Sequence, residues 1–206
     1  MKGTLIIISS PSGGGKGTLI KELLAGVPHL GYSVSLTTRS PRPGEENGRE
    51  YHFVTAEEFQ SEISDGGFLE YAEVHGNLYG TSLKLIDKIT STGDDVILEI
   101  DVQGADSVMA KVPDSVSIFI MPPSFETLRA RLIARATEQM NDLELRLRNS
   151  LDEVKQYTHF NYVVVNDEIE AASRKLAAII IAERQKRYRQ TERIQGILDS
   201  FERSKT

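Results

Sequence analysis

Nine consecutive residues, Ser10-Pro11-Ser12-Gly13-Gly14-Gly15-Lys16-Gly17-Thr18, have the composition of a grip on a polyphosphate. Glycines let a backbone reach positive φ and approach an anion closely, so that successive N–H groups converge on it. A lysine adds a full positive charge for the outer phosphates, and a helix opening at the same point adds the partial charge of its N-terminus. The segment follows the apolar run Leu5–Ile8 and opens the helical pattern Gly15–Ala25, the strand-loop-helix setting such a loop requires. Ser12, Gly13, Gly14, Gly15, Lys16, Gly17 and Thr18 are therefore the expected contacts to a nucleoside triphosphate. Two positions depart from G-x-x-x-x-G-K-[ST]: Ser10 stands at the first glycine, and Gly17 stands where a hydroxyl usually ligates magnesium. Magnesium is then expected to be held mainly by phosphate oxygens and water, with Thr18 and Asp101 as possible protein ligands. The bland alternative, a glycine-rich turn, does not account for a lysine at this spacing. A dinucleotide fingerprint fails because Thr18 occupies its third glycine. Cysteine is absent, no G-x-S-x-G occurs, and His29, His52, His75 and His159 lack metal-ligand spacing, so thiol, serine and metallohydrolase chemistry have no support.

A second constellation lies downstream. Thr37-Thr38-Arg39-Ser40-Pro41-Arg42-Pro43-Gly44 sets two guanidinium groups three residues apart in a proline-stiffened loop, with the hydroxyls of Tyr51 and Tyr79 to follow. Fork-shaped, permanently charged donors match the oxygens of a phosphate monoester. Either arginine alone reads as a solvated surface turn; the pair beside a phosphate loop reads as an acceptor site.

These residues need a scaffold. Leu5–Ile8, Val96–Ile100, Val116–Met121 and Tyr162–Val165 read as strands buried on both faces, and helical patterns span Ala56–Asp65, Ser82–Thr92, Val102–Val112, Ser124–Ala136, Asn141–Thr158 and Ile169–Arg189. Thr55 with Glu58 forms a capping box, and Asn141 with Glu144 approximates one. The alternation predicts an α/β fold of the P-loop NTPase type, a parallel sheet flanked by helices. Ser33 to Ser82 breaks the rhythm with a loop, the short strand Tyr51–Val54, a helix and the mixed segment Phe68–Val74, and reads as an inserted lobe of one domain. The polar, basic tail after Glu183 reads as a solvated helix end rather than a binding arm. The chain has 206 residues, 39% hydrophobic and 26% charged, enough for one sizeable core. A net charge of −6 argues against nucleic-acid or membrane adhesion, and Leu5–Ile8 is too short to span a bilayer, so a cytoplasmic protein is expected.

With these residues in view the chain resembles the guanylate kinase family over nearly its whole length. The likeness is carried by the phosphate loop, the Thr-Thr-Arg-x-Pro-Arg-x-Gly segment, Gly48-x-x-Tyr51-x-Phe53, Phe68-Leu69-Glu70, Gly76-Asn77-x-Tyr79-Gly80-Thr81, Ile100-Asp101-x-Gln103-Gly104, Pro122-Pro123-Ser124 and Val165-Asn166-Asp167. The resemblance implies a single domain with a core at 1–33, 83–130 and 156–206, a GMP-binding lobe near 34–82 and a lid near 131–155. It implies that Glu70 reads guanine, whose ring N–H and exocyclic amine are a donor pair adenine lacks. Ser35 and Thr81 then donate to the exocyclic oxygen, Asp101 lies near the acceptor and the metal, and Asn166 lies on the ATP side. Arg39, Arg42, Tyr51 and Tyr79 hold the monophosphate, and Arg131, Arg135 and Arg146 belong to the lid. Arg131 and Arg135 also fall four apart on one predicted helix, hence on one face. Where the family has Gly-Arg-Gly, this chain has Ala134-Arg135-Ala136.

The implied reaction moves the γ-phosphoryl group of ATP to GMP, or dGMP, in purine nucleotide metabolism, with Mg2+ as cofactor and no general base. Two other readings are an inactive interaction module of the same fold and a kinase for another phosphorylated acceptor. The intact loop with Lys16 opposes the first, and Ser35, Glu70 and Thr81 oppose the second.

Overall fold

The computed structural model describes residues 2–74, 76–135 and 140–204, with the backbone alone at 135 and 140–142. Five strands form one parallel sheet: β1 (Leu5–Ser9), β2 (Leu30–Tyr32), β7 (Asp95–Glu99), β8 (Val116–Met121) and β9 (Tyr162–Val165), in the order β2-β7-β1-β8-β9. β1 is fully buried and lies between β7 and β8, so the loop that follows it emerges at the middle of the sheet. Helices α1 (Lys16–Gly26) and α7 (Ile169–Arg184) cover one face, where Leu19, Leu23, Leu176 and Ile180 pack on Ile6, Ile8 and Ile118. Helix α4 (Val102–Lys111) covers the other, with Ala105 and Val108 against Ile7, Leu98 and Phe119. This double cover is why the strands read as continuous apolar runs. β9 is the exception: it is an edge strand, and Val163 and Val165 are exposed.

The segment predicted as an inserted lobe forms a second, mixed sheet of β3 (Leu36–Thr37), β4 (His52–Phe53), β5 (Phe68–Val74) and β6 (Asn77–Ser82), ordered β4-β3-β6-β5. Helix α2 (Ala56–Ser64) begins at Thr55 with both hydrogen bonds of the expected capping box. Its Phe59 stacks on Phe68 with ring centroids 4.4 Å apart, and both rings press on Gly80, where a Cβ would stand 2.7 Å from Phe68. Leu69 joins the core beneath the main sheet and so ties the lobe to the body.

Helix α3 (Leu83–Thr90) returns the chain to β7, and α5 (Phe125–Arg135) and α6 (Met140–Lys155) follow β8. Asn141 lies inside α6 rather than at a cap; its side chain, like Ala136, falls outside the described residues. The last predicted helix stops at Arg184, five residues early, because Arg184 is committed to an anchor. Its Nε donates to Asp95 Oδ2 at 2.7 Å, and its two Nη atoms donate to the carbonyls of Pro28 and His29. After one 3-10 turn (Arg187–Gln190) the tail forms a separate, solvent-exposed helix, α8 (Thr191–Arg203), rather than the end of the preceding one. The apolar residues Ile194, Ile197, Leu198 and Phe201 recur on it at helical spacing.

Candidate active site

The phosphate loop runs from the buried end of β1 to the first turn of α1, with Gly15 as the N-cap residue at φ 90°. Gly13 has φ 81°, and a Cβ there would stand 3.0 Å from Leu132 on α5. Only glycine suits either conformation, and only glycine leaves room. Ser10, the departure from the usual pattern, has a local reason. Its Oγ donates to the Pro11 carbonyl at 2.8 Å and lies 3.2 Å from Lys16 Nζ, in space that exists because Gly14 has no side chain. Lys16 thus folds over its own loop, at the mouth where phosphates would enter. Asn166 buttresses the loop from below: its Nδ2 donates to the Gly14 carbonyl at 2.9 Å, while its own carbonyl accepts from Arg131 Nη2 at 3.0 Å. The amide oxygen of Asn166 is buried and, among the described residues, has no hydrogen-bond partner.

The residues expected to hold the acceptor gather in the lobe. Arg39 lies over the ring of Tyr51 at 5.4 Å, and Tyr51 meets Tyr79 edge to face at 5.7 Å. A residue the sequence reading missed holds this group. Glu45 takes both Nη atoms of Arg39 at 2.9 Å and also accepts the Arg42 backbone N–H at 2.7 Å. The paired side chains are only 14% and 18% exposed; the carboxylate raises the Arg39 pKa, and the guanidinium holds Glu45 below the usual carboxylate range. The fork is therefore fixed before any phosphate arrives. Arg42, in contrast, is exposed and joins the group through its backbone.

Glu70 pairs with Thr81 across β5 and β6 just after a register shift that begins at Phe68, an irregularity of the kind that re-aims a side chain. The Thr81 hydroxyl donates to Glu70 Oε1. Burial, partly opposed by that hydrogen bond, pushes the Glu70 carboxyl above its ordinary value, and the nearby charge of Asp101 adds to the effect. Ser35 is half-buried just before β3 and accepts the His52 backbone N–H through its carbonyl. Asp101 is the N-cap of α4, with Oδ1 accepting the Gly104 N–H at 2.7 Å, so one of its oxygens is already committed. Gly104 lies between the two acids, its Cβ direction 3.3 Å from Asp101 Oδ1 and 3.4 Å from Glu70 Oε2.

A second acid escaped the sequence reading. Glu99 ends β7, the strand beside β1, and Oε1 lies 4.0 Å from the Cβ direction of Gly17. Tyr32 donates to Glu99 Oε2 at 3.2 Å; burial first, then the charge of Glu99, pushes the Tyr32 hydroxyl far up. An acidic residue closing the strand next to a phosphate-loop strand is a detectable signal for a magnesium-side carboxylate. Among the described residues no cluster of three or more His, Cys, Asp or Glu could hold a metal alone. One carboxylate beside the loop instead suits an ion that keeps its waters and rides on phosphates. The end of β7 thus joins the two halves: Glu99 faces the phosphate loop and Asp101 faces Glu70.

Of the arginines expected in the lid, Arg131 reaches back to Gly14 and Asn166, and Arg146 is half-buried on α6. The Arg135 side chain lies outside the described residues. No described helix is long and apolar enough to cross a membrane.

Known proteins resemble this chain over most of its length. The family model described as guanylate kinase matches residues 2–183. The guanylate kinase of Neisseria gonorrhoeae is 49% identical over 199 residues, 97% of each chain, and that of Clostridium perfringens is 48% identical over 183 residues, 89% of this chain and 85% of the relative. A crystal structure of guanylate kinase from Anaplasma phagocytophilum superimposes with a TM-score of 0.75 at 37% identity, covering 91% of this chain and 89% of that one.

Proposed function

The chain belongs to the guanylate kinase family, and we propose that it transfers the γ-phosphoryl group of ATP to GMP or dGMP, giving ADP and GDP or dGDP. The observation that carries the reading is the end of β7, which sets a carboxylate toward each of two sites, a phosphate loop and the guanine-reading pair Glu70–Thr81. Ionised Glu70 accepts the ring N–H and exocyclic amine of guanine together; the Ser35 hydroxyl serves the exocyclic oxygen, and the Thr81 hydroxyl joins it by turning away from Glu70, whose carboxylate the guanine donors then occupy. Adenine presents neither partner, and the buried groups it would leave unpaired reject it.

The nucleophile is an oxygen of the acceptor phosphate, ionised at neutral pH because its second pKa is about 6. No side chain needs to take a proton. The barrier is electrostatic, because two polyanions must meet in line. The N–H groups that the phosphate loop leaves open cradle ATP, Lys16 neutralises its outer phosphates, and Asn166 holds the loop in shape. Arg39, Arg42, Tyr51 and Tyr79 orient the acceptor, while Arg131, Arg135 and Arg146 close over the transferring group and exclude water. Glu99, beside Gly17, would hold Mg2+ with Thr18 as a further ligand, and the ion would supply positive charge shared by the ATP phosphates; Asp101, half committed to its cap, stands on the acceptor side. ADP release measured with GMP, with AMP and with no acceptor tests the reading. Release with GMP alone is expected, and equal rates with AMP, or without acceptor, would overturn it.

A further inference from the structure

Each of the three residues before Gly15 is held by a different element. Gly13 lies against Leu128 and Leu132 of α5, and the carbonyl of Gly14 accepts from Asn166. The backbone N–H of Ser12 donates to Glu153 Oε2 of α6 at 3.0 Å, across 141 residues of sequence. This last contact is unexpected on electrostatic grounds, because a carboxylate beside a loop made to receive polyanions opposes the arriving charge. Glu153 is half-buried, and Ser150, one turn before it on α6, is fully buried with its hydroxyl donating to the Leu147 carbonyl. That face of α6 is therefore seated on the body.

Arg146 precedes Glu153 by seven residues, two turns of the same helix, and so projects from the same face. A helix pinned at one point by packing at Ser150 can still roll about its axis; a directed hydrogen bond one turn away removes that freedom. We propose that Glu153 is a positioning residue, locking the rotation of α6 against the phosphate loop so that Arg146 is aimed at the transferring phosphoryl group. This rests on the reading of the chain as an ATP:GMP phosphotransferase with Arg146 in its lid. Glu153 itself touches no substrate, and what matters in it is the acceptor oxygen, not the charge.

Steady-state kinetics on four variants tests this. Glu153→Ala lowers kcat about tenfold or more with the KM for GMP unchanged, and Glu153→Gln, which keeps an acceptor oxygen, restores most of the loss. Because Glu153 acts through Arg146, the double variant Glu153→Ala/Arg146→Ala is no slower than Arg146→Ala alone. Wild-type turnover in Glu153→Ala, no rescue by Gln, or losses that multiply in the double variant would each overturn the proposal. The parent reading is judged separately, on GMP-dependent ADP release by the wild-type chain; with that intact, a failure belongs to Glu153 alone.

Discussion

On the proposed reading, Glu70 trades stability for recognition. Its pKa is raised in the folded chain by burial, so its neutral form is the one the fold favours. The stability it contributes is complete below the unfolded pKa and is lost as pH rises through the folded value. Glu70→Gln is therefore expected to raise the Tm at pH 7 in a thermal melt. The same variant cannot accept from both guanine donors, so the KM for GMP rises by about a hundredfold or more. In the wild type, GMP affinity should fall on acidification through the raised Glu70 pKa, at higher pH than an ordinary glutamate would titrate, and calorimetry on Glu70→Gln should show that part of the dependence removed, leaving the titration of the GMP phosphate. Lys16→Ala acts on the other substrate: kcat falls about a hundredfold or more whatever the acceptor. Lys16, Arg39 and Arg42 were legible because their types and spacing carry their chemistry, whereas Glu70 and Arg146 were legible only through the resemblance that the surrounding motifs carry. Glu45 and Glu99 were not, because a lone glutamate in a polar loop or at a strand end looks like any solvated carboxylate until folding puts Arg39 or Gly17 beside it.

Among the elements, the loop between β1 and α1 has the least tolerance. At Gly15 a Cβ would meet Asn166 Nδ2 at 2.4 Å in a backbone conformation already left-handed. Gly15→Ala should leave the far-ultraviolet circular dichroism unchanged and abolish ATP binding by calorimetry; retained affinity would mean that Asn166 moves freely, against its role as a strut. Helices α1 to α7 and strands β1, β7, β8 and β9 were readable from periodicity, whereas β2, three residues long with a glycine at its centre, was not. The lobe strands β3 and β4 were harder, since two-residue strands have no period to detect, and β6 was hidden because Gly80 interrupts its pattern for the sake of Phe59 and Phe68.

At the scale of the molecule, catalysis and stability occupy opposite ends of the same strand. Glu99 closes β7 at the site, whereas Asp95 opens it, accepting the Thr4 N–H at 2.7 Å and the Arg184 guanidinium, which also gathers the carbonyls of Pro28 and His29. Asp95 is only 6% exposed, so removing its partner strands a buried charge. Arg184→Ala is expected to cost about 3 kcal/mol, a Tm loss of roughly 6–12 °C. Turnover at low temperature should stay near wild type, because the site is at the other end of the sheet. A large fall in kcat with an unchanged Tm would contradict this separation.

The chain's order of residues was sufficient for everything local: the phosphate loop, the capping box at Thr55, the buried strands, and the family whose motifs recur in sequence. These follow from backbone conformation and short-range spacing, which are properties of adjacent residues. Only the tertiary structure decided that Glu45 clamps Arg39, that Glu99 faces the phosphate loop, that Glu153 reaches Ser12, and that the tail folds as a helix of its own. Those contacts join residues far apart along the chain or depend on what packing leaves room for, and the free energy that selects them exists only once the sheet and its helices have closed around them.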